Sequence, residues 1–415
     1  MSHDCCSQPG LMLPADALVR MREQVAPLDT EQWVSLEQCP GRVLARDIAA
    51  AIDLPPFDNS AMDGYAVRAA DVAEGAVLTV AGKAFAGVPF EGEVGPGQCV
   101  RIMTGAALPA GLDSIVMQEV VEAEGEDRVR FTESVCPGHF VRSRGSELRA
   151  GTVVLKAGTR ISAAEVGVLA TVGVAEVPVR PKLVVALFST GDELKAPGTE
   201  LAVGEIYDSN RHALRSMLTA MGCEVRDLGV IPDDLEQVRD AFRRADAEAD
   251  VVITSGGVSV GEADFIKVVL DEMGQISFWK LAIKPGKPFA FGRLPNAWFC
   301  GLPGNPVSSM VTCYQLVQPL LAHLAGEPFR PALTLDAVLQ DDLRKAPGRQ
   351  EYQRGILSRA EDGTLIVTST GAQGSDMTTS MSRANCFIIL PREQGDTAAG
   401  SRVTVEPFNA VLGGL

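Results

Sequence analysis

The segment from Asp250 to Asp264, D-V-V-I-T-S-G-G-V-S-V-G-E-A-D, concentrates the residue types best suited to chemistry. Val251, Val252 and Ile253 read as a buried strand that runs into Thr254, Ser255, Gly256 and Gly257. A helical pattern, Ala263 to Met273, follows Gly261 and Glu262. A strand that ends in a glycine turn and re-enters as a helix aims several backbone N–H groups, and the positive end of a helix dipole, at one spot. That spot suits a phosphate or another oxyanion. Two glycines alone would serve a tight turn equally well. The flanking hydroxyls and the carboxylates of Glu262 and Asp264 tip the reading towards an anion site bridged by a divalent cation.

Two further loops should face the same crevice. Ser189-Thr190-Gly191-Asp192-Glu193-Leu194 supplies hydroxyls and two carboxylates after a strand. Lys280, Lys284 and Lys287 fall within eight residues of a chain rich in acid, stiffened by Pro285 and Pro288. Such a loop reads as a clamp for a polyanion, against the alternative of a solvated basic loop. As a loop it is expected to lie off the core, so that loss of Lys284 costs rate and little stability. Pro303-Gly304-Asn305-Pro306 opens a helix and offers a second anion site, or simple capping. Elsewhere, Phe57 to Ala66 packs Asp58, Asn59, Ser60 and Asp63 into one loop, and Arg101 to Ala106 ends a strand in Thr104 and Gly105. Arg142 and Arg144 form a second basic cluster. The four histidines fall in no motif, and no zinc spacing, Walker loop or dinucleotide fingerprint is present. Lysines, amides and carboxylate-held Mg²⁺ are the tools of phosphoryl-group reactions.

The elements that must position these groups follow a rhythm. From Pro181 the pattern is βαβ: a strand at Leu183 to Phe188, a helix N-capped by Ser209 or Asn210 and stopped by Gly222, and a strand at Cys223 to Val230. A helix after Pro232-Asp233-Asp234, the Asp250 strand and its helix come next. Strands near Ile276 to Ile283 and Ala297 to Leu302 and a helix over Val307 to His323 complete the run. That alternation predicts a doubly wound α/β domain whose ligands gather at the carboxyl ends of its strands. Before it, helices are expected at Pro14 to Val25 and Glu37 to Ala51. Short strands at Val77 to Val80, Cys99 to Met103, Ile115 to Gln118 and Arg128 to Phe131 make a β-rich insertion. From Pro331 only short strands are expected, with a hairpin at Asp362-Gly363, giving a small C-terminal barrel or sandwich.

The bulk numbers bound the partners. A chain of 415 residues carries two to four domains. Its net charge of -16 and aromatic share of 5% disfavour nucleic acid and anionic membrane, so an anionic ligand needs a local basic pocket. No apolar run reaches the length of a membrane span, and the N-terminus has no signal-peptide pattern. Nine cysteines without a paired framework fit a cytoplasmic protein.

The loops D-N-S-A-M-D-G-Y-A, R-I-M-T-G-A, F-S-T-G-D-E-L, I-Y-D-S-N, T-S-G-G-V-S-V-G-E-A-D, K-P-G-K-P-F-A-F-G and L-P-G-N-P-V-S occur in that order. In this the chain resembles the MoeA family of molybdopterin molybdenumtransferases, whose eukaryotic counterpart is the E domain of gephyrin. The likeness spans Leu11 to Asn409. It implies insertion of molybdate, as substrate, into adenylylated molybdopterin with release of AMP and the help of Mg²⁺. It also implies a homodimer in which the α/β domain of one subunit faces the β-rich insertion of the other. The expected parts are a linking domain over 1–55 plus 145–181, a β-rich domain over 56–144, an α/β domain over 182–330 resembling molybdopterin adenylyltransferase, and a barrel over 331–415.

Carried over by motif, Asp63 and Thr104 form the far wall of the cleft. Glu193, Asp233 or Asp234, and Asp264 line the α/β wall, with Glu193, Asp264 and Asp63 as expected metal ligands. The turn residues Ser189, Thr190, Gly191, Ser255, Gly256 and Gly257 are expected to contact substrate. Lys280, Lys284 and Lys287 hold pterin phosphate or molybdate; Pro303, Gly304, Asn305 and Pro306 shape the floor, and Ser375 comes from the C-terminal domain. Two departures stand out. Arg144-Gly145-Ser146-Glu147 replaces a usual Arg-Gly-Glu-Asp, and Asp376 stands where a His is common. A molybdopterin adenylyltransferase and a non-catalytic cofactor carrier or scaffold are the competing readings. Docking of other cofactor-biosynthesis proteins is left open.

Overall fold

A run such as Val251-Val252-Ile253, apolar at every position, suits a strand covered on both faces, and it folds that way. The computed structural model describes residues 11–257 and 265–413. At its centre a six-stranded sheet runs in the order Glu224–Ile231, Val184–Thr190, Val251–Ser255, Trp298–Leu302, Pro288–Arg293, Gln275–Lys280. The first four strands are parallel and the last two antiparallel. On one face, helices Leu235–Glu248 and Phe265–Met273 bury Val238, Phe242, Ile266 and Leu270 against Ala186, Phe188, Val252 and Phe299. On the other, helix Ser209–Ala220 and the last helical run bury Leu214, Leu218, Val307 and Leu320 against Val185, Leu187, Val251 and Ile253. The doubly wound α/β expectation holds. Chain order reverses between Val184–Thr190 and Val251–Ser255, and at such a switch point diverging connections leave a crevice beyond the strand ends.

Several element boundaries differ from the sequence expectation. Helix Ser209–Ala220 is capped one residue earlier, by Asp208, whose Oδ1 accepts from the Arg211 N–H at 3.2 Å. The last helix is continuous, but passes from Pro306–Thr312 through a π-turn, Cys313–Val317, into Gln318–Leu324. No helix forms over 37–51. Pro40 lacks an N–H and Gly41 adopts φ 75, so the 3₁₀ turn Leu36–Gln38 cannot propagate. Val43 and Leu44 are buried instead as β-bridges to Arg160 and Val179. Helix Pro14–Gln24 forms as expected and packs Ala17 and Met21 into the same apolar cluster as Leu281, Val317 and Leu321.

The remaining parts are built on β-structure. Strand Gln32–Ser35 pairs with Glu176–Val179, and Ile48–Ala49 with Val153–Leu155, beside helix Ala163–Thr171. Between them lies a second six-stranded sheet, in the order Ser114–Met117, Gly64–Val67, Gln98–Ile102, Val77–Ala84, Arg128–Phe131, Val121–Ala123. Its strands alternate as a two-residue period demands: Val100 and Ile102 face one cluster, Cys99 the other. At the C-terminal end, Leu335–Leu339, Gln350–Arg359, Leu365–Ser369, Cys386–Leu390 and Arg402–Pro407 close into a barrel, because Gln350–Arg359 pairs with strands on both sides. The Asp362-Gly363 hairpin is present, with Gly363 at φ 88. One helix was not expected here. Thr378–Arg383 interrupts the strands and buries Ser380 and Met381.

Candidate functional site

Three loops meet at the switch point. Val184–Thr190 ends in Thr190-Gly191, Val251–Ser255 in Gly256-Gly257, and Trp298–Leu302 in Pro303-Gly304. They are close neighbours: a Cβ on Gly256 would lie 3.6 Å from the Thr190 carbonyl oxygen, and one on Gly304 would lie 3.9 Å from Gly256 Cα. The Gly256 N–H donates to the Leu302 carbonyl at 3.1 Å and fixes two of the loops together. Asn210 staples them again, its Nδ2 donating to Ser255 Oγ at 2.8 Å and to the Gly304 carbonyl at 2.6 Å. Its Oδ1 is buried and meets no donor among the described residues. Ser189 takes another part. It is 1% exposed and its hydroxyl donates to Asp208 Oδ1 at 3.2 Å, so it braces the neighbouring helix. Asp208 in turn binds Arg211, which reaches Asp227, and this buried chain of charges fixes the helix against its sheet.

A carboxylate cluster borders the crevice. Gly191 has φ 138, and a Cβ there would meet the Glu193 carboxylate at 2.5 Å, so only glycine lets Glu193 fold back over the turn. Asp192 accepts from the Asp233 N–H at 3.2 Å. Partial desolvation, and then the charges of Asp192 and Glu193, push the Asp233 carboxyl above its ordinary range, although its outer side is open to solvent. Asp234 is spent as the cap of helix Leu235–Glu248. Among the described residues no three His, Cys, Asp or Glu side chains form a metal cage. Of the expected ligands, Glu193 lies here, Asp63 lies on the β-rich sheet, and Asp264 lies outside the described residues, as does Glu262.

Asp63 and Thr104 do come together. Asp63 Oδ1 accepts from the Thr104 N–H at 2.7 Å and from its hydroxyl at 2.8 Å. These bonds, with Arg101 nearby, hold the carboxyl below its usual range while it faces solvent. Among the described residues no hydrogen bond or ion pair joins 56–144 to 182–330. In the departing Arg144–Glu147 stretch, Arg144 pairs with Asp53 at 2.6 Å and its N–H binds Asp58, while Glu147 stays exposed.

The lysine loop is not the free surface loop expected from sequence. Leu281, Ala282, Ile283, Pro285 and Gly286 are all buried. Gly286 sits so close to the last helix that a Cβ would fall 2.5 Å from Thr312 Oγ1. Lys280 is exposed and Lys287 half-buried, both at the base of the loop. Ile283–Lys284 pairs in parallel with Gln350–Glu351 of the barrel, and Lys284 Nζ donates to Glu351 Oε1 at 3.0 Å. Loss of Lys284 therefore removes the ion-pair partner of a buried carboxylate, and the expectation of a loop lying off the core is corrected.

The barrel also reaches the start of the last helix. Asn305 Nδ2 donates to Ser375 Oγ at 3.0 Å and the Val307 N–H to the Ser375 carbonyl at 3.0 Å, so Ser375 docks on the start of the last helix. Its loop is pinned by Arg354, 1% exposed, which donates to the Gly374 carbonyl and to Ser380 Oγ at 2.9 Å each. Burial pushes the Arg354 guanidinium down to about 10, with Glu351 opposing the fall. Asp376, the second departure, is exposed beside Gly374. Asn210, Glu351 and Arg354 were not singled out from sequence as site residues. For Glu351 and Arg354 the available signal was the cluster of charged and amide residues in the run Gln350 to Arg354, all but Gln350 buried.

Residues 13–173 match the MoeA N-terminal region (domain I and II), 186–323 a probable molybdopterin binding domain, and 336–408 the MoeA C-terminal region (domain IV). A molybdopterin molybdenumtransferase of Haemophilus influenzae is 48% identical over 405 residues, covering 97% of this chain and 100% of the relative. One from a Nostoc species is 35% identical, covering 92% and 90%. The crystal structure of the molybdopterin biosynthesis moeA protein from Pyrococcus horikoshii superposes with a TM-score of 0.83 at 29% identity, covering 96% of this chain and 100% of that one.

Proposed function

This chain belongs to the MoeA family of molybdopterin molybdenumtransferases, and on that premise we propose that it inserts molybdate into adenylylated molybdopterin, forming molybdenum cofactor and releasing AMP. One observation carries the reading. Glycine turns and a barrel serine, drawn from distant parts of the sequence, meet at one switch point, and the lysine loop packs on the helix that starts there, in a chain whose full length matches that family.

The turn amides around Gly257 and Gly304, next to the Thr190 hydroxyl, receive the phosphate of the substrate. The Asn210 acceptor, unsatisfied among the described residues, is available to a substrate N–H. Lys280, Lys284 and Lys287 attract molybdate and the leaving phosphate in a chain whose overall charge repels them. Asn305 and Ser375 shape the floor with Pro303 and Pro306. Mg²⁺ fits the carboxylate cluster: Glu193 and Asp233 would hold it, since Asp233 sits where positive charge is lacking and Mg²⁺ needs only one or two carboxylates beside phosphate oxygens. Bound there, the ion neutralises phosphate charge. Asp264 is a third donor in our reading, by family resemblance.

We assign the four parts to 1–55 plus 145–181, 56–144, 182–330 and 331–415, and read the active assembly as a homodimer in which the Asp63–Thr104 pair of one copy faces the crevice of the other. Cytoplasmic location accords with the free cysteines and with the absence, among the described residues, of any helix long and apolar enough to cross a membrane. Incubating the protein with adenylylated molybdopterin, molybdate and Mg²⁺ should release AMP in step with molybdate consumption. ATP consumption on molybdopterin without AMP release from the adenylylated form would point to an adenylyltransferase. Silence in both assays would leave a carrier or scaffold.

A further inference from the structure

The ion pair between Lys284 and Glu351 is lopsided. The Lys284 side chain is 43% exposed and the Glu351 side chain 4%. A buried carboxylate is costly unless its oxygens are satisfied, and here both are. Oε1 accepts from Lys284 Nζ at 3.0 Å, and Oε2 accepts from Gln353 Nε2 at 2.9 Å. Gln353 is itself held by the Arg344 carbonyl at 3.2 Å. The backbone supports the same contact, because Lys284 and Glu351 are register partners in a parallel pairing. Arg354, three residues along, makes no hydrogen bond to the carboxylate among the described residues; its Nε and Nη2 donate to Ser380 and Gly374, and it meets Glu351 only through its charge.

A lysine ammonium has three donors. Among the described residues the bond to Glu351 uses one, so two remain for an incoming oxyanion. A flexible four-carbon stem would otherwise spread that ammonium over many rotamers. We infer that Glu351 is a positioning residue: carried by the C-terminal barrel, it fixes the Lys284 ammonium in one direction, so that barrel and lysine loop act as one unit on the oxyanion. The inference rests on the molybdate-transfer reading and gives the barrel a part in the reaction beyond the contact at Ser375. Its physical signature is a trade. A carboxylate beside the ammonium weakens net attraction for an anion while it improves aim.

Removing the charge with Glu351→Gln, which keeps volume and an acceptor oxygen for Lys284, should therefore lower kcat about tenfold without raising KM for molybdate. Glu351→Asp, which keeps the charge one methylene short, should recover part of the loss. In a Lys284→Ala background, Glu351→Gln should change kcat by less than about twofold, since the residue acts only through that lysine. A Glu351→Gln enzyme with kcat within twofold of an active wild type overturns the inference alone, as does an additive loss in the double variant or a raised KM at unchanged kcat. A wild type that does not consume molybdate overturns the enzyme reading and this inference with it. Should Glu351→Gln fail to fold, Glu351→Asp decides by the same split between kcat and KM.

Discussion

Asp233 carries a charge that its surroundings disfavour. Its folded-state carboxyl lies above the ordinary value, through desolvation and the neighbouring Asp192 and Glu193. A raised carboxyl binds protons more readily in the folded state, so it lowers stability once the pH exceeds the unfolded value, and the penalty disappears as pH falls below the ordinary carboxylate range. Two outcomes follow at neutral pH. Asp233→Asn should raise Tm slightly, by at most about 3 °C for a partly exposed group. Mg²⁺ should raise the wild-type Tm and have a smaller effect on the variant, with the wild-type response fading at pH 4. Differential scanning calorimetry with and without Mg²⁺ at pH 4 and pH 7.5 checks both, and a Mg²⁺ response equal in the two proteins would remove Asp233 from the metal site. Such groups are legible from sequence because Asp192, Glu193 and Asp233 sit in loops directly after strands. Glu351 was not, since it acquires its role from Lys284, 67 residues away, through a pairing between two domains.

At the scale of elements, the lysine loop shows where local reading ran out. Its prolines and lysines describe a stiff basic turn, but nothing local says that the turn is wedged between a helix and a barrel strand. Gly286 records that wedge, with φ 112 and Thr312 Oγ1 2.5 Å from where a Cβ would stand. Gly286→Ala should cost about 2–4 kcal/mol, combining backbone strain with overpacking, and should lower turnover by displacing Lys284 and Lys287. Gly204→Ala is the control: φ is 93 but nothing lies within 4 Å, so only the backbone strain applies. Urea melts of the two variants separate the contributions, and equal losses would mean that the helix contact carries no weight. The absent helix over 37–51 teaches the same lesson in reverse. Val43, Leu44 and Ile48 are spaced for a helix face, but Pro40 and the left-handed Gly41 interrupt it, and Val43 and Leu44 are buried as bridges and Ile48 on a short strand. Periodicity named the buried residues and missed the element.

For the whole molecule, the open question is where the Asp63–Thr104 pair does its work. The carboxylate is fixed by two bonds from Thr104, held below its usual range, and presented to solvent. Within one chain no hydrogen bond or ion pair among the described residues ties its sheet to the α/β domain. The change of texture at Pro55 and Gly145 made the inserted sheet legible in the sequence. Which crevice it serves could not be read there, because that depends on assembly and not on local pattern. A homodimer resolves the problem if each crevice draws its far wall from the other copy. In that case Asp63→Ala and Glu193→Ala enzymes should each lose most activity, and mixing them under subunit exchange should restore about a quarter of wild-type activity, since half of the molecules become heterodimers with one intact cleft of two. The measurement is AMP release by the mixture, with exchange verified by native mass spectrometry. No recovery despite complete exchange would place both walls of each crevice in a single chain, and would then require the inserted sheet to swing onto the α/β domain during turnover.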